Sequence, residues 1–181
     1  MHIGFLTAVM KHYNLNDLVK WASKNGFSAL EVMAGPGSPH IDASSLNKAQ
    51  LKEIGDLLEG EGIRISSLAY YANILDEDPE KRRACIDHMK RAIEVCAELG
   101  VEVFCTMAGM PLPGKDRIRT IKEDAYPVLS DLVGFAKSHN VKIALENWTR
   151  TLMLNLACWD TIFELIPDEN FGLNFDPSHL Y

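Results

Sequence analysis

Two short segments bring carboxylates to positions where they can act together: KIALEN, Lys142 to Asn147, and FGLNFDPSH, Phe171 to His179. Read as strands, both alternate between two faces. If Ile143 and Leu145 turn toward covering helices, Ala144 and Glu146 turn the other way. The same parity sends Leu173 and Phe175 outward and Gly172, Asn174 and Asp176 inward. Neighbouring strands lie about 4.8 Å apart, so Glu146 and Asp176 would repel unless they shared a cation. His179, three residues past Asp176, adds an imidazole within reach of a ligand or of the groups around a metal. Each group also has an ordinary reading. Glu146 and Asp176 are then solvent-facing strand ends, with Asp176 opening a turn before Pro177, and His179 is a solvated loop histidine. Matched parity on consecutive strands favours the shared site for the two acids, and His179 stays open between its two readings.

These residues need elements to position them, and the chain alternates short β-rich runs with longer helical patterns. The strands expected are His2 to Thr7, Ser28 to Met33, a run from Arg64 through RISSLAYY, VEVFCTM, VKIALEN and FGLNFDPSH. Asn16 is expected to cap the first helix and Gly26 to stop it. Asn47 opens a second, through about Glu59, and Asp78-Pro79 opens a long third that ends at Gly100. A fourth carries Ile121, Val128, Leu132 and Phe135 on one side, with Pro127 implying a kink or break inside it. A fifth runs from about Cys158 to Ile166. Such units, with Gly/Pro-rich loops such as AGPGSPH and AGMPLPGK on one side, predict an α/β fold of the (β/α)8 TIM-barrel type, here an incomplete barrel of about six parallel strands. A doubly wound sheet is the rival. Its dinucleotide-binding glycines are absent from the first turn, TAVMKHYN.

The 181 residues, 47% hydrophobic, suffice for one domain with a substantial core. A net charge of −7 opposes nucleic-acid binding, which needs a positive field. Cys85, Cys96, Cys105 and Cys158 show no metal-type spacing and read as reduced thiols of a cytoplasmic protein. Neither a signal peptide nor a membrane-spanning run is evident.

ALEN, Ala144 to Asn147, and NFDPSHL, Asn174 to Leu180, resemble the fifth- and sixth-strand motifs of the xylose isomerase-like sugar isomerase/epimerase family. GFSALEVM and VFCTMAG are similar to its second and fourth strands. The resemblance implies that Glu146 and Asp176 are metal ligands, that Glu146 is also the acid/base, and that His179 contacts a substrate oxygen. It places Glu31 near the substrate or among the groups around the metal ligands, with a salt-bridged strand end as the equal alternative. His12, Tyr70, Tyr71 and Trp148 lie in or near loops where they would line a sugar pocket, or else pack the rim. His88 and His139 fall on helices away from the lip and read as structural.

The resemblance also implies a divalent ion, Mn²⁺ or Mg²⁺ ahead of Co²⁺ or Zn²⁺, and an isomerase or epimerase working through a cis-enediolate on a small sugar. A homo-oligomer is compatible with it. Two further ligands, a histidine and a glutamate, would come from strands seven and eight. The expectation is therefore one domain over residues 1–181 that corresponds to the N-terminal two-thirds of a barrel, with an inactive fragment, or one completed by another chain, as the alternative. An inosose dehydratase-like lyase is a further reading. An endonuclease IV-like phosphodiesterase needs histidines after strands three and four, where Tyr70, Tyr71, Met107 and Ala108 stand.

Overall fold

Six parallel strands hydrogen-bond in sequence order, β1 Gly4–Leu6, β2 Ala29–Met33, β3 Arg64–Ala69, β4 Val103–Thr106, β5 Lys142–Glu146 and β6 Phe171–Asn174, in a computed structural model that describes residues 2–180. Helices α1 Leu15–Lys24, α2 Lys48–Glu61, α3 Pro79–Leu99, α4 Arg117–Thr120, α5 Tyr126–Ser138 and α6 Leu156–Leu165 connect them. This is the order of six consecutive units of a (β/α) barrel, with the sheet open between β6 and β1. A doubly wound sheet would reverse its strand order, and this one does not.

Local chemistry fixes the helix ends. Asn47 and Gln50 form a reciprocal capping box at α2. Asp78 accepts from the Glu80 and Lys81 amides while Pro79 takes the first turn of α3, where its missing N–H costs nothing. Gly62 (φ 64°) and Gly100 (φ 68°) close α2 and α3 in the left-handed conformation, so the chain re-enters the sheet within a few residues. The opposite connections, after β2, β3, β4 and β5, are long. That asymmetry leaves the C-terminal lip of the sheet free to carry a site.

The strand parity holds where the strands are regular. Leu30, Val32, Leu68, Phe104, Ile143 and Leu145 are buried beneath the helices, whereas Ala144 and Glu146 remain half-buried on the inner face. Met89, Ala92, Ile93 and Cys96 of α3 supply much of the facing surface. The four cysteines are free and buried. No helix among the described residues is long and apolar enough to cross a membrane.

Several boundaries differ from expectation. Asn14, not Asn16, caps α1: its side chain accepts from the Asp17 amide, so that Leu15 enters the core as the first helical residue. The break expected at Pro127 is a π-helical turn over Ile121–Ala125 that joins α4 to α5. The wider turn accommodates a proline that cannot donate to the preceding turn. β1 gives way to a 3-10 turn at Thr7–Met10, and β3 stops at Ala69 rather than at the tyrosines. β6 stops at Asn174, with Pro177–Leu180 forming another 3-10 turn. Phe175 and Asp176 therefore lie beyond the sheet, and strand parity does not apply to them.

Candidate metal centre

Glu146 is the last residue of β5 and pairs in register with Asn174, the last of β6. Beyond that rung the ladder ends. Asp176 nevertheless returns to Glu146, and ligand-type atoms of Glu146, Asp176 and His179 all lie within 4.8 Å of one another. The His179 Nε2 is 3.5 Å from Asp176 Oδ2 and 3.8 Å from Glu146 Oε1. Asp176 is steered by its neighbours: its Oδ1 accepts the Ser178 amide at 2.7 Å, which turns Oδ2 toward the histidine. Asn147, 1% exposed, clamps the same residue from the end of β5, donating to the Asp176 carbonyl and accepting the Asp176 N–H, both at 2.7 Å.

The two acids differ electrostatically. Glu146 is pushed up to about 7, first by burial and then by the charges of Glu31 and Asp176, against an opposing hydrogen bond from Asn174. Hydrogen bonds from Ser178, reinforced by His179, hold Asp176 below its ordinary value. Two carboxylates and an imidazole converging in this way form a hard oxygen and nitrogen donor set suited to a divalent ion such as Mn²⁺, Mg²⁺ or Zn²⁺. Such an ion would relieve the repulsion that helps hold Glu146 up.

Across the same lip, Glu31 stands on the inner face of β2, where a register shift between Leu30 and Glu31 sets it opposite Ser67. Ser67 donates to Oε2 at 3.2 Å, Tyr71 donates to Oε1, and Asn174 approaches Oε2 at 3.4 Å. Burial raises the Tyr71 hydroxyl, followed by the effects of Cys105 and Glu31, so it stays a proton donor. The Asn174 amide also reaches the Tyr71 oxygen at 3.1 Å and Glu146 Oε2 at 2.6 Å. One carboxamide thus ties the β2–β3 side of the lip to the β5–β6 side.

A cavity of about 550 Å³ opens between these groups, lined by Glu31, Tyr71, Glu146, Trp148, Asp176 and His179 with flanking apolar residues. Trp148 presents one side toward His179, ring centres 6.4 Å apart, and Arg150 lies over its ring at 5.3 Å. His12 is exposed and packs on Tyr13, apart from the cavity lining. Tyr70 turns into the fold against His88, whose Nε2 meets the Ala34 carbonyl at 2.7 Å. Asn147, Asn174 and Ser67 do not stand out in the sequence as site residues. The available signal is a carboxamide beside each acid, Asn147 directly after Glu146 and Asn174 two residues before Asp176.

The family described as xylose isomerase-like TIM barrel matches residues 19–181. The chain belongs to that family. An uncharacterized protein of Bacillus subtilis, YfiH, is 30% identical over 207 residues, covering 99% of this chain. This chain spans 65% of YfiH's length. Among solved structures, a D-tagatose 3-epimerase-like protein superposes with a TM-score of 0.80 at 22% identity, covering 99% of this chain and 66% of that one. The IolI protein with a bound zinc atom gives 0.79 at 21%, covering 100% and 64%. At these identities the structural matches establish the shared fold.

Proposed function

We propose that the chain carries the acid/base half of a metal-dependent isomerase or epimerase that moves a proton next to the carbonyl of a ketose or related sugar through a cis-enediolate. The observation that carries this reading is the convergence of Glu146, Asp176 and His179 at the mouth of a cavity of monosaccharide size. The similarity to a tagatose-epimerase-like fold and to a zinc-binding relative supports it.

Glu146 and Asp176 would hold the ion, Mn²⁺ or Mg²⁺ ahead of Co²⁺ or Zn²⁺, with His179 beside them. An ion held there would supply Lewis acidity to polarise the sugar carbonyl and acidify the adjacent C–H. Glu146 takes that proton. Its place at the mouth of the cavity, beside the donor groups of Asp176 and His179, puts a carboxylate where it can accept a proton from a bound sugar. Return to the same carbon from the other face, by a second acid on that face, would epimerise, and delivery by Glu146 to the neighbouring carbon would isomerise. Tyr71 and Glu31 offer a donor and an acceptor for sugar hydroxyls, and Trp148 offers an aromatic face to the sugar's C–H surface. We place residues 1–181 in one barrel domain of a cytoplasmic enzyme.

Incubation with ketohexoses and Mn²⁺ in D₂O, followed by proton NMR, tests the proposal. The expected result is metal-dependent deuterium incorporation next to the carbonyl, abolished in E146Q. No exchange into any ketose, with or without metal, would favour a non-catalytic chain.

A further inference from the structure

Resting on the metal-centre reading above, we infer that Asn147 and Asn174 are a crossed pair of positioning residues, each close in sequence to one ligand and fixing the other. Asn174, on β6, donates to Glu146 Oε2 of β5 at 2.6 Å. Asn147, directly after Glu146, holds the Asp176 backbone through two hydrogen bonds of 2.7 Å.

The need for this arrangement lies in where the sheet stops. The β5–β6 ladder ends at the Glu146–Asn174 rung, two residues before Asp176. Nothing in strand geometry then decides how far the second acid lies from the first. A carboxamide carries the donor and acceptor of a peptide group, so the Asn147 side chain stands in for the missing strand and adds one more rung. With the Asp176 backbone fixed by Asn147 and its Oδ1 occupied by the Ser178 amide, only Oδ2 is left to face Glu146 and His179. On the other strand, Asn174 takes Glu146 Oε2, leaving Oε1 toward His179. Each acid thus has one oxygen committed to the protein and one aimed at the shared centre. Burial of Asn147, 1% exposed, shields its two bonds from exchange with water.

A clamp that merely stabilises the fold would act on stability alone. A positioning pair acts on metal affinity in molecules that are fully folded. Mn²⁺ affinity of the 181-residue chain, measured by electron paramagnetic resonance at a temperature where every variant is folded, separates the two. N147A and N174A are each expected to weaken binding about 10- to 100-fold, the range seen when groups that orient metal ligands are removed. The double variant should fall short of the product of the two losses, because both residues fix one pair of oxygens. V133A, a cavity variant in α5 remote from the lip, serves as the destabilised control and should bind as the parent does. N147D keeps the side-chain shape but sets an oxygen against the Asp176 carbonyl, and replaces N147A if that variant does not fold. It should weaken binding to a similar degree. Parent-like affinity in the Asn147 and Asn174 variants, or an equal loss in V133A, overturns the inference while leaving the metal centre standing. A parent that binds no Mn²⁺ overturns the metal centre itself, and this inference with it.

Discussion

Two carboxylates face the same cavity from opposite sides, and their surroundings differ in kind. Glu31, on β2, meets donors: the hydroxyls of Ser67 and Tyr71 and the amide of Asn174. Glu146, on β5, has one donor, Asn174, and otherwise looks at Asp176 and at an imidazole that can present a lone pair. The first carboxylate is satisfied by the protein. The second is complete only with a cation or a proton, and burial raises its proton affinity accordingly. One lip of the sheet thus carries both a rigid polar wall, suited to recognising hydroxyl groups, and a poised centre suited to charge and proton transfer.

The largest test of this contrast removes the poised side. E146Q and D176N should each lower Mn²⁺ affinity by more than about 100-fold, since loss of a ligand exceeds the cost of losing a group that merely orients one. E31Q, which removes a charge felt by Glu146 but no ligand, should lower affinity only several-fold. Equal losses for Glu31 and Glu146, by titration calorimetry, would erase the distinction between the two walls.

A smaller effect is expected from the polar wall itself. Y71F deletes a donor to Glu31 and a cavity hydroxyl, and should reduce kcat/KM about tenfold or more with metal affinity unchanged. W148A should raise KM several-fold, on the order of 1 kcal/mol of lost aromatic contact, with little change in kcat.

The subtlest test uses pH and the metal-free protein. Glu146 is about 7 when folded and near 4.5 otherwise, so the folded state binds that proton more tightly. Its contribution to stability is then fully present below pH 4.5 and lost as pH rises to about 7. Glutamine mimics the protonated acid. E146Q should therefore match the parent near pH 4.5 and exceed it by roughly 1–3 kcal/mol at about pH 8, read from thermal unfolding. Excess Mn²⁺ should stabilise the parent at that higher pH and not the variant.

Much of this arrangement is legible in the sequence because local rules govern it. The β5 run KIALE alternates cleanly, and Ile143 and Leu145 are buried while Glu146 faces the cavity side. Asp176 is instructive for the opposite reason. Alternation places it near Glu146, but the strand ends two residues earlier, and the side chain that follows β5 brings it there. Periodicity describes a strand and says nothing of where its hydrogen bonding stops. Similarly, Asn14 and Asn16 are equally good caps in isolation. Tertiary packing of Leu15 selects Asn14. Glu31, Ser67 and Tyr71 meet across strands at separations of 36 and 40 residues, with a register shift between them that no local pattern records.

Glu146, Asp176 and His179 converge on the β5–β6 side of the lip, and every functional proposal above depends on their holding one cation there. Titrating ¹⁵N-labelled protein with substoichiometric Mn²⁺ tests that site residue by residue through paramagnetic broadening of amide signals. Broadening should centre on Glu146, Asn147 and the turn from Asn174 to Leu180, with Glu31 less affected. Broadening centred instead on the surface acids Asp116, Glu123 and Asp124, or no selective broadening at all, would contradict it.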